Sequence, residues 1–301
     1  MRILVTGATG LVGTHLVEAL RAEGAEVGRL LRASSADAPD AIWDPAAGTI
    51  DGAALEGFDA VVHLAGESIA EGRWTEAKKA RIRDSRIDGT TLIAATLSGL
   101  ARKPRVLVSA SAVGYYGDRG DGRLTEASAA GEGFLPETCV AWERATTAAE
   151  NAGIRVVHLR TGVVLAHGGG ALKKMLLPFK LGVGGRIGSG RQYMSWIALG
   201  DIVAVIRHAI ENETLSGPVN ATAPAPVTNL EYTKTLGRVL RRPTILPMPA
   251  FAARLAFGEM ANDLLLASAR VLPKKLGDSG FTFAHPEVES ALRHELDRPA
   301  A

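Results

Sequence analysis

At 301 residues, with 47% hydrophobic and 22% charged side chains, the chain has the length and make-up of a globular protein holding one large domain or two modest ones. Its 34 basic and 32 acidic side chains nearly cancel, so a net charge of +2 gives no general drive toward nucleic acid or a membrane surface. No run of about 18 apolar residues is present to span a bilayer. Seven scattered histidines and one cysteine suggest neither a metal cluster nor an internal disulfide. The sequence begins MRILVTGATG, entering a strand at once, and together with the lone cysteine this points to a cytoplasmic protein.

In chain order, the first half alternates short β-branched runs with longer helical patterns, the rhythm of a parallel α/β sheet. Residues 2–5 read as a strand, 11–22 as the helix after it, 25–32 as a second strand and 41–43 as a short third. The uninterrupted apolar run 58–64 fits a fourth strand buried on both faces. Ala77, Ile82, Ile87, Leu92 and Ile93 mark a helix over 74–97. A fifth strand at 105–108, a helix at 134–151 and a sixth strand at 154–159 follow. Right-handed crossovers link such units into a doubly wound parallel sheet. Past Arg160 the texture becomes turn-rich, with helices at 201–211 and 229–241 and further helical pattern from Pro247 to Leu296. The expected division is a Rossmann domain over 1–165, with later strands able to rejoin its sheet. A smaller, mostly helical substrate-side region over 166–301 follows.

The run Gly7-Ala8-Thr9-Gly10-Leu11-Val12-Gly13 lies between the first strand and its helix. Gly7 permits the sharp turn, Gly10 lets backbone approach a pyrophosphate, and Gly13 lets helix and strand pack closely. The amides of the first helical turn then face the negative phosphates. The second strand ends Leu31-Arg32-Ala33-Ser34-Ser35, without the Asp or Glu that holds the ribose 2′-hydroxyl of NAD. Arg32 suits a 2′-phosphate, with Ser34 and Ser35 as further donors, so NADP is the expected cofactor. Trp43 and Asp44, closing the third strand, are expected at the adenine.

The glycine turn, His63-Leu64-Ala65-Gly66-Glu67 and the run 109–117 (SASAVGYYG) resemble the extended short-chain dehydrogenase/reductase superfamily. GRW at 72–74, SRIDGT at 85–90, RTGVVL at 160–165 and SWI at 195–197 are similar to its atypical "epimerase family" branch, often labelled nucleoside-diphosphate-sugar epimerase. LPKKLGDSGFTF at 272–283 looks like that branch's small C-terminal domain of unknown function, expected over about 248–298. The resemblance implies cofactor contacts from Thr9, Leu64, Ala65, Gly66, Glu67, Arg86, Ser109 and Arg160.

It also implies a Tyr-x-x-x-Lys pair on the helix after the fifth strand and a serine at that strand's exit. The tyrosine passes a proton to the substrate oxygen, and the lysine lowers its pKa. Here the serine position is Ser111, with Ser109 as second choice, but Cys139 stands in the tyrosine position and Glu143 in the lysine position. A glutamate raises a neighbouring acid's pKa, so it cannot do the lysine's work. Three readings remain open. Tyr115, Tyr116 or Glu67 supplies the proton; Cys139 does; or the protein binds NADP and transforms nothing.

The stretch 185–196 (GRIGSGRQYMSW) resembles the substrate loop, with Arg186, Arg191 and Gln192 for an anionic or sugar substrate, Glu67 beside it and Trp196 as an apolar wall. The basic residues Lys78, Lys79, Arg81, Arg83 and Arg86 lack interleaved aromatics, so they suit a solvated helix face and not nucleic acid. His63, within a buried strand pattern, reads as a core histidine. The expected function is an NADP-dependent oxidoreductase or epimerase acting on a small molecule, as monomer or homodimer. The alternative is an NADP-binding regulator that has lost the Tyr/Lys pair.

Overall fold

The computed structural model describes residues 1–32 and 41–298; Ser34 and Ser35 lie outside them. The first half runs β1 (Arg2–Thr6), α1 (Leu11–Ala22), β2 (Glu26–Leu31), β3 (Ala41–Asp44), β4 (Thr49–Ile50), β5 (Ala60–His63), α2 (Glu76–Ser98) and β6 (Val106–Ala112). The middle holds β7 (Arg123–Leu124), α3 (Phe134–Arg144), α4 (Thr147–Asn151), β8 (Arg155–Thr161), β9 (Val163–Ala166) and α5 (Gly170–Lys180). Then come β10 (Tyr193–Met194), β11 (Trp196–Ala198), α6 (Leu199–Glu211), β12 (Gly217–Ala221), β13 (Val227–Thr228) and α7 (Asn229–Leu240). The C-terminal part is α8 (Ala250–Phe257), β14 (Arg270–Val271), α9 (Lys274–Asp278) and α10 (Val288–Glu295).

Two compact units share the chain. The first comprises Met1–Ser111, Thr138–Leu159 and Val203–Val219; the second comprises Ala112–Glu137, Arg160–Ile202 and Asn220–Ala301. An eight-stranded sheet in the order β12-β8-β6-β5-β1-β2-β3-β4 is the frame of the first unit. β1 pairs in parallel with β2 and β5, β5 with β6, and β2 with β3, as a doubly wound sheet requires. Helix α1 buries Gly13, Leu16, Val17 and Leu20, spaced to form one stripe against that sheet.

Two of the differences from the sequence reading concern a broken helix and an edge strand. The single helix expected over 134–151 breaks at 145–146, where the Thr146 hydroxyl donates to the Glu143 carbonyl (2.8 Å) and contacts His158 Nε2 (2.8 Å). Side-chain competition for a helix carbonyl favours such a stop. Strand β12 carries Pro218, which masks its strand character in the sequence; it sits at the sheet's edge, where a missing amide is tolerated.

The second unit is built from short pairings, β10 with β13, β11 with β9 and β14 with β7. Its core gathers Leu165, Leu172, Phe179, Trp196, Tyr232 and Leu292 from strands and helices together.

Candidate cofactor and catalytic site

The turn after β1 is closed by sterics. Gly7 adopts φ +65°, and a Cβ there would lie 2.8 Å from the Ala65 nitrogen. A Cβ on Gly13 would lie 2.1 Å from the Gly7 carbonyl oxygen, so nothing larger than glycine fits where α1 meets the strand. On Gly10 the one close atom is the Gly7 oxygen at 3.2 Å, leaving that side of the turn open. Gly10 caps α1 without a side-chain hydrogen bond, and the first turn carries no acid. The Gly10 amide closes the turn onto the Gly7 carbonyl (2.9 Å) and Gly13 is buried against it, which leaves exposed Thr9 and Gly10 and the half-buried helix start at Leu11 and Val12 as a cradle that fits a diphosphate.

The adjoining strand end is held by a hydroxyl that the sequence reading missed. Thr6 Oγ1 accepts the amides of Leu64 (3.2 Å) and Ala65 (3.3 Å). With both lone pairs filled, its own proton goes to His63 Nδ1 at 2.7 Å. The ring proton then lies on Nε2, donating to Thr90 Oγ1 (3.0 Å), which also accepts the Trp142 indole N–H (2.9 Å). Burial holds the fully enclosed His63 ring down at about 4, so it is neutral at pH 7.

Glu67 follows this strand. Its carboxylate meets Lys78 Nζ at 2.6 Å and Arg81 Nε at 3.8 Å, and the hydrogen bond from Lys78 first, with the charges of Lys78, Arg81 and Arg32, draws its pKa down. Lys78 is buried, not part of the solvated face that its basic neighbours suggested. Arg86, on the same helix, donates through Nη1 to the Glu67 carbonyl (3.0 Å) and lies over the Trp142 ring at 5.0 Å. Burial lowers its pKa, with Cys139 and Glu67 opposing. Arg32 is exposed just beyond β2.

At the exit of β6, buried Ser111 donates to Glu143 Oε1 at 2.8 Å. Cys139 is buried one turn earlier on α3, and Ser109 is buried in β6. Ser111 and the residue in the lysine position thus form a direct pair, which sequence reasoning did not anticipate because 32 residues separate them.

Two expected adenine contacts have other work. Trp43 is core, edge-on to His63, and Asp44 Oδ1 accepts the amides of Ala46 (2.9 Å) and Ala47 (3.1 Å) to shape the turn before β4. In the second unit, Arg160 is buried with its guanidinium 3.4 Å from the Tyr115 ring centroid, and Nη1 donates to the Tyr116 hydroxyl at 3.0 Å. That hydroxyl donates to Asn220 Oδ1 (2.6 Å), and burial raises its pKa. Arg186 Nη1 bonds the Gly188 carbonyl. Gln192 Nε2 donates to the carbonyls of Ile187 (3.0 Å) and Leu265 (2.9 Å), and Ser195 Oγ to that of Ala269 (2.8 Å). Trp196 has no exposed surface, and its indole N–H donates to the Ala225 carbonyl at 3.0 Å. It packs the core of the second unit.

A sequence model of the NAD dependent epimerase/dehydratase family matches residues 3–221. The chain belongs to this family. A second model, a domain of unknown function (DUF1731), matches residues 248–295 of this family member. The epimerase family protein Mb2239 of Mycobacterium bovis is 46% identical over 299 residues, covering 99% of this chain and 98% of that protein. The crystal structure of human epimerase family protein SDR39U1 (isoform 2) with NADPH superposes with a TM-score of 0.91 at 34% identity, covering 99% and 100% of the two chains. The nucleoside-diphosphate sugar epimerase of Corynebacterium glutamicum gives 0.82 at 37% identity, covering 98% of this family member but 58% of the other chain.

Proposed function

We propose that the protein is an NADP-dependent oxidoreductase or epimerase in which Ser111 and Glu143 replace the usual Tyr/Lys chemistry. The observation that carries the reading is the 2.8 Å bond from Ser111 Oγ to Glu143 Oε1 at the sheet's carboxyl end, where open α/β sheets bind ligands. A bound nicotinamide supplies hydride transfer. The proton side falls to the protein: a substrate hydroxyl gives its proton to Ser111 Oγ while the serine proton passes to the Glu143 carboxylate, and the return path reverses both transfers. The glycine cradle and Arg32, with no acid closing β2, support NADP, and the human relative's NADPH agrees with that preference.

The test is NADPH oxidation against aldehydes, ketones and nucleotide sugars, with NADPH affinity measured separately. Ser111→Ala and Glu143→Gln are expected to lower turnover about a hundredfold, within the range for a lost acid–base group, and to leave NADPH binding intact. Cys139 and Glu143 in the Tyr and Lys positions favour a second reading, an NADP-binding regulator. NADPH binding without turnover of any substrate in the panel supports that alternative.

A further inference from the structure

The net charge conceals a segregation. Residues 168–200 and 232–258, both in the second unit, hold ten of the chain's 34 Lys and Arg side chains and none of its 32 acids. Elsewhere 24 basic residues face all 32 acids. The same two stretches carry most of the large apolar side chains left in water. Leu177, Leu181, Ile245 and Phe251 are between 66% and 73% exposed, and Val183 and Leu246 about half.

The stretches run against each other. Arg242 Nε donates to the Lys180 carbonyl (3.0 Å), the Met248 amide to the Arg186 carbonyl (2.9 Å) and the Gly188 amide to the Met248 carbonyl (2.9 Å). Helix α5 buries Leu172, Leu176 and Phe179 and turns Lys173, Leu177 and Lys180 outward. Its outer face is therefore apolar and cationic at once.

We propose that this surface docks on the face of an anionic lipid bilayer. Apolar tips enter the boundary between headgroups and acyl chains, and exposed Lys173, Lys180, Arg241 and Arg242 meet the headgroup phosphates, as in interfacial amphipathic helices. A second copy fits less well, because a two-fold interface would set this cationic face against itself. Nucleic acid fits less well too: Phe251 is the one exposed aromatic among the large apolar residues here, and stacking needs more. Among the described residues no helix is long and apolar enough to cross a membrane, so the contact is with one leaflet. The whole-chain balance that argued against a membrane surface averaged over this asymmetry.

The full chain is floated with vesicles of phosphatidylcholine alone and of phosphatidylcholine mixed with phosphatidylglycerol. Binding is expected to the mixed vesicles only and to weaken as salt rises. Lys173→Glu with Lys180→Glu is expected to weaken it about tenfold or more. Leu181→Ser with Phe251→Ser is expected to weaken it comparably, and all four substitutions should leave the NADPH-dependent thermal shift in place. The milder Lys173→Gln with Lys180→Gln covers any folding defect in the glutamate pair. The proposal is overturned by binding to neither vesicle or to both equally, or by apolar substitutions without effect, which mark a purely ionic polymer as the partner. Sedimentation as a dimer that these substitutions dissociate overturns it in favour of a second copy.

Discussion

In the first unit the buried polar groups are joined end to end: two backbone amides, Thr6, His63, Thr90 and Trp142 satisfy one another beneath the cofactor cradle. The second unit uses polar side chains as staples between loops. Ser195 spans the Ala269 carbonyl and Val271 amide, Glu126 Oε1 accepts the Asn220 and Lys275 amides, and Asp201 accepts those of Ala284 and His285. One buried hydroxyl there, Tyr232, has no partner among the described residues, and burial raises its pKa. A continuous sheet fixes geometry through backbone pairing and frees side chains for a site. Short two-stranded pairings consume side chains to hold themselves together.

The sharpest way to break this contrast is at the backbone cradle. Gly13→Val places methyl groups where even a Cβ lies 2.1 Å from the Gly7 oxygen. A loss of about 4 kcal/mol or more and of NADPH binding is expected in denaturation and titration. Next in size is a pH effect at His63. Its folded pKa of about 4 is depressed from 6.5, so the unfolded chain binds a proton that the fold refuses. Stability present at pH 7 is lost as pH falls, by about 2 kcal/mol at pH 5 from this ring, before Glu67 or Glu289 titrates. Urea unfolding of His63→Gln should show a flatter slope over that window, and an unchanged slope removes the neutral buried ring from the account.

A smaller effect separates fold from ligand. Arg32→Glu, at an exposed position beyond β2, should shift the NADPH-to-NADH affinity ratio about tenfold or more toward NADH, with the melting temperature of the free protein unmoved. The smallest effect tests the second unit's imperfect satisfaction. Tyr232→Phe removes the orphaned hydroxyl and should stabilise the fold by about 1 kcal/mol; a loss instead means that the hydroxyl does have a partner.

The first unit was largely legible because its strands and α1 repeat a simple apolar pattern and the glycines of the first turn have a steric reason to be there. Its side-chain pairings were not: Ser111 with Glu143 and Glu67 with Lys78 join residues 32 and 11 positions apart, and only the packed helices bring them together. Lys78 looked solvated because Arg81 and Arg83 on α2 are. In the second unit, Gln192 and Trp196 stood out as substrate-loop residues, yet each bonds a distant carbonyl. A run of polar and aromatic residues reads alike whether it grips a ligand or a loop. Pattern also passed over β12, where Pro218 masks an edge strand.

Cys139 is the chain's single thiol and lies 3% exposed on α3, one turn before Glu143. An alkylating reagent can reach that sulfur only when the helix lifts from the sheet. The rate of modification, set against that of an unhindered thiol, therefore reads the local opening equilibrium directly, with no label introduced. Slower modification in the presence of NADPH would measure how firmly the occupied cradle clamps the neighbouring helix.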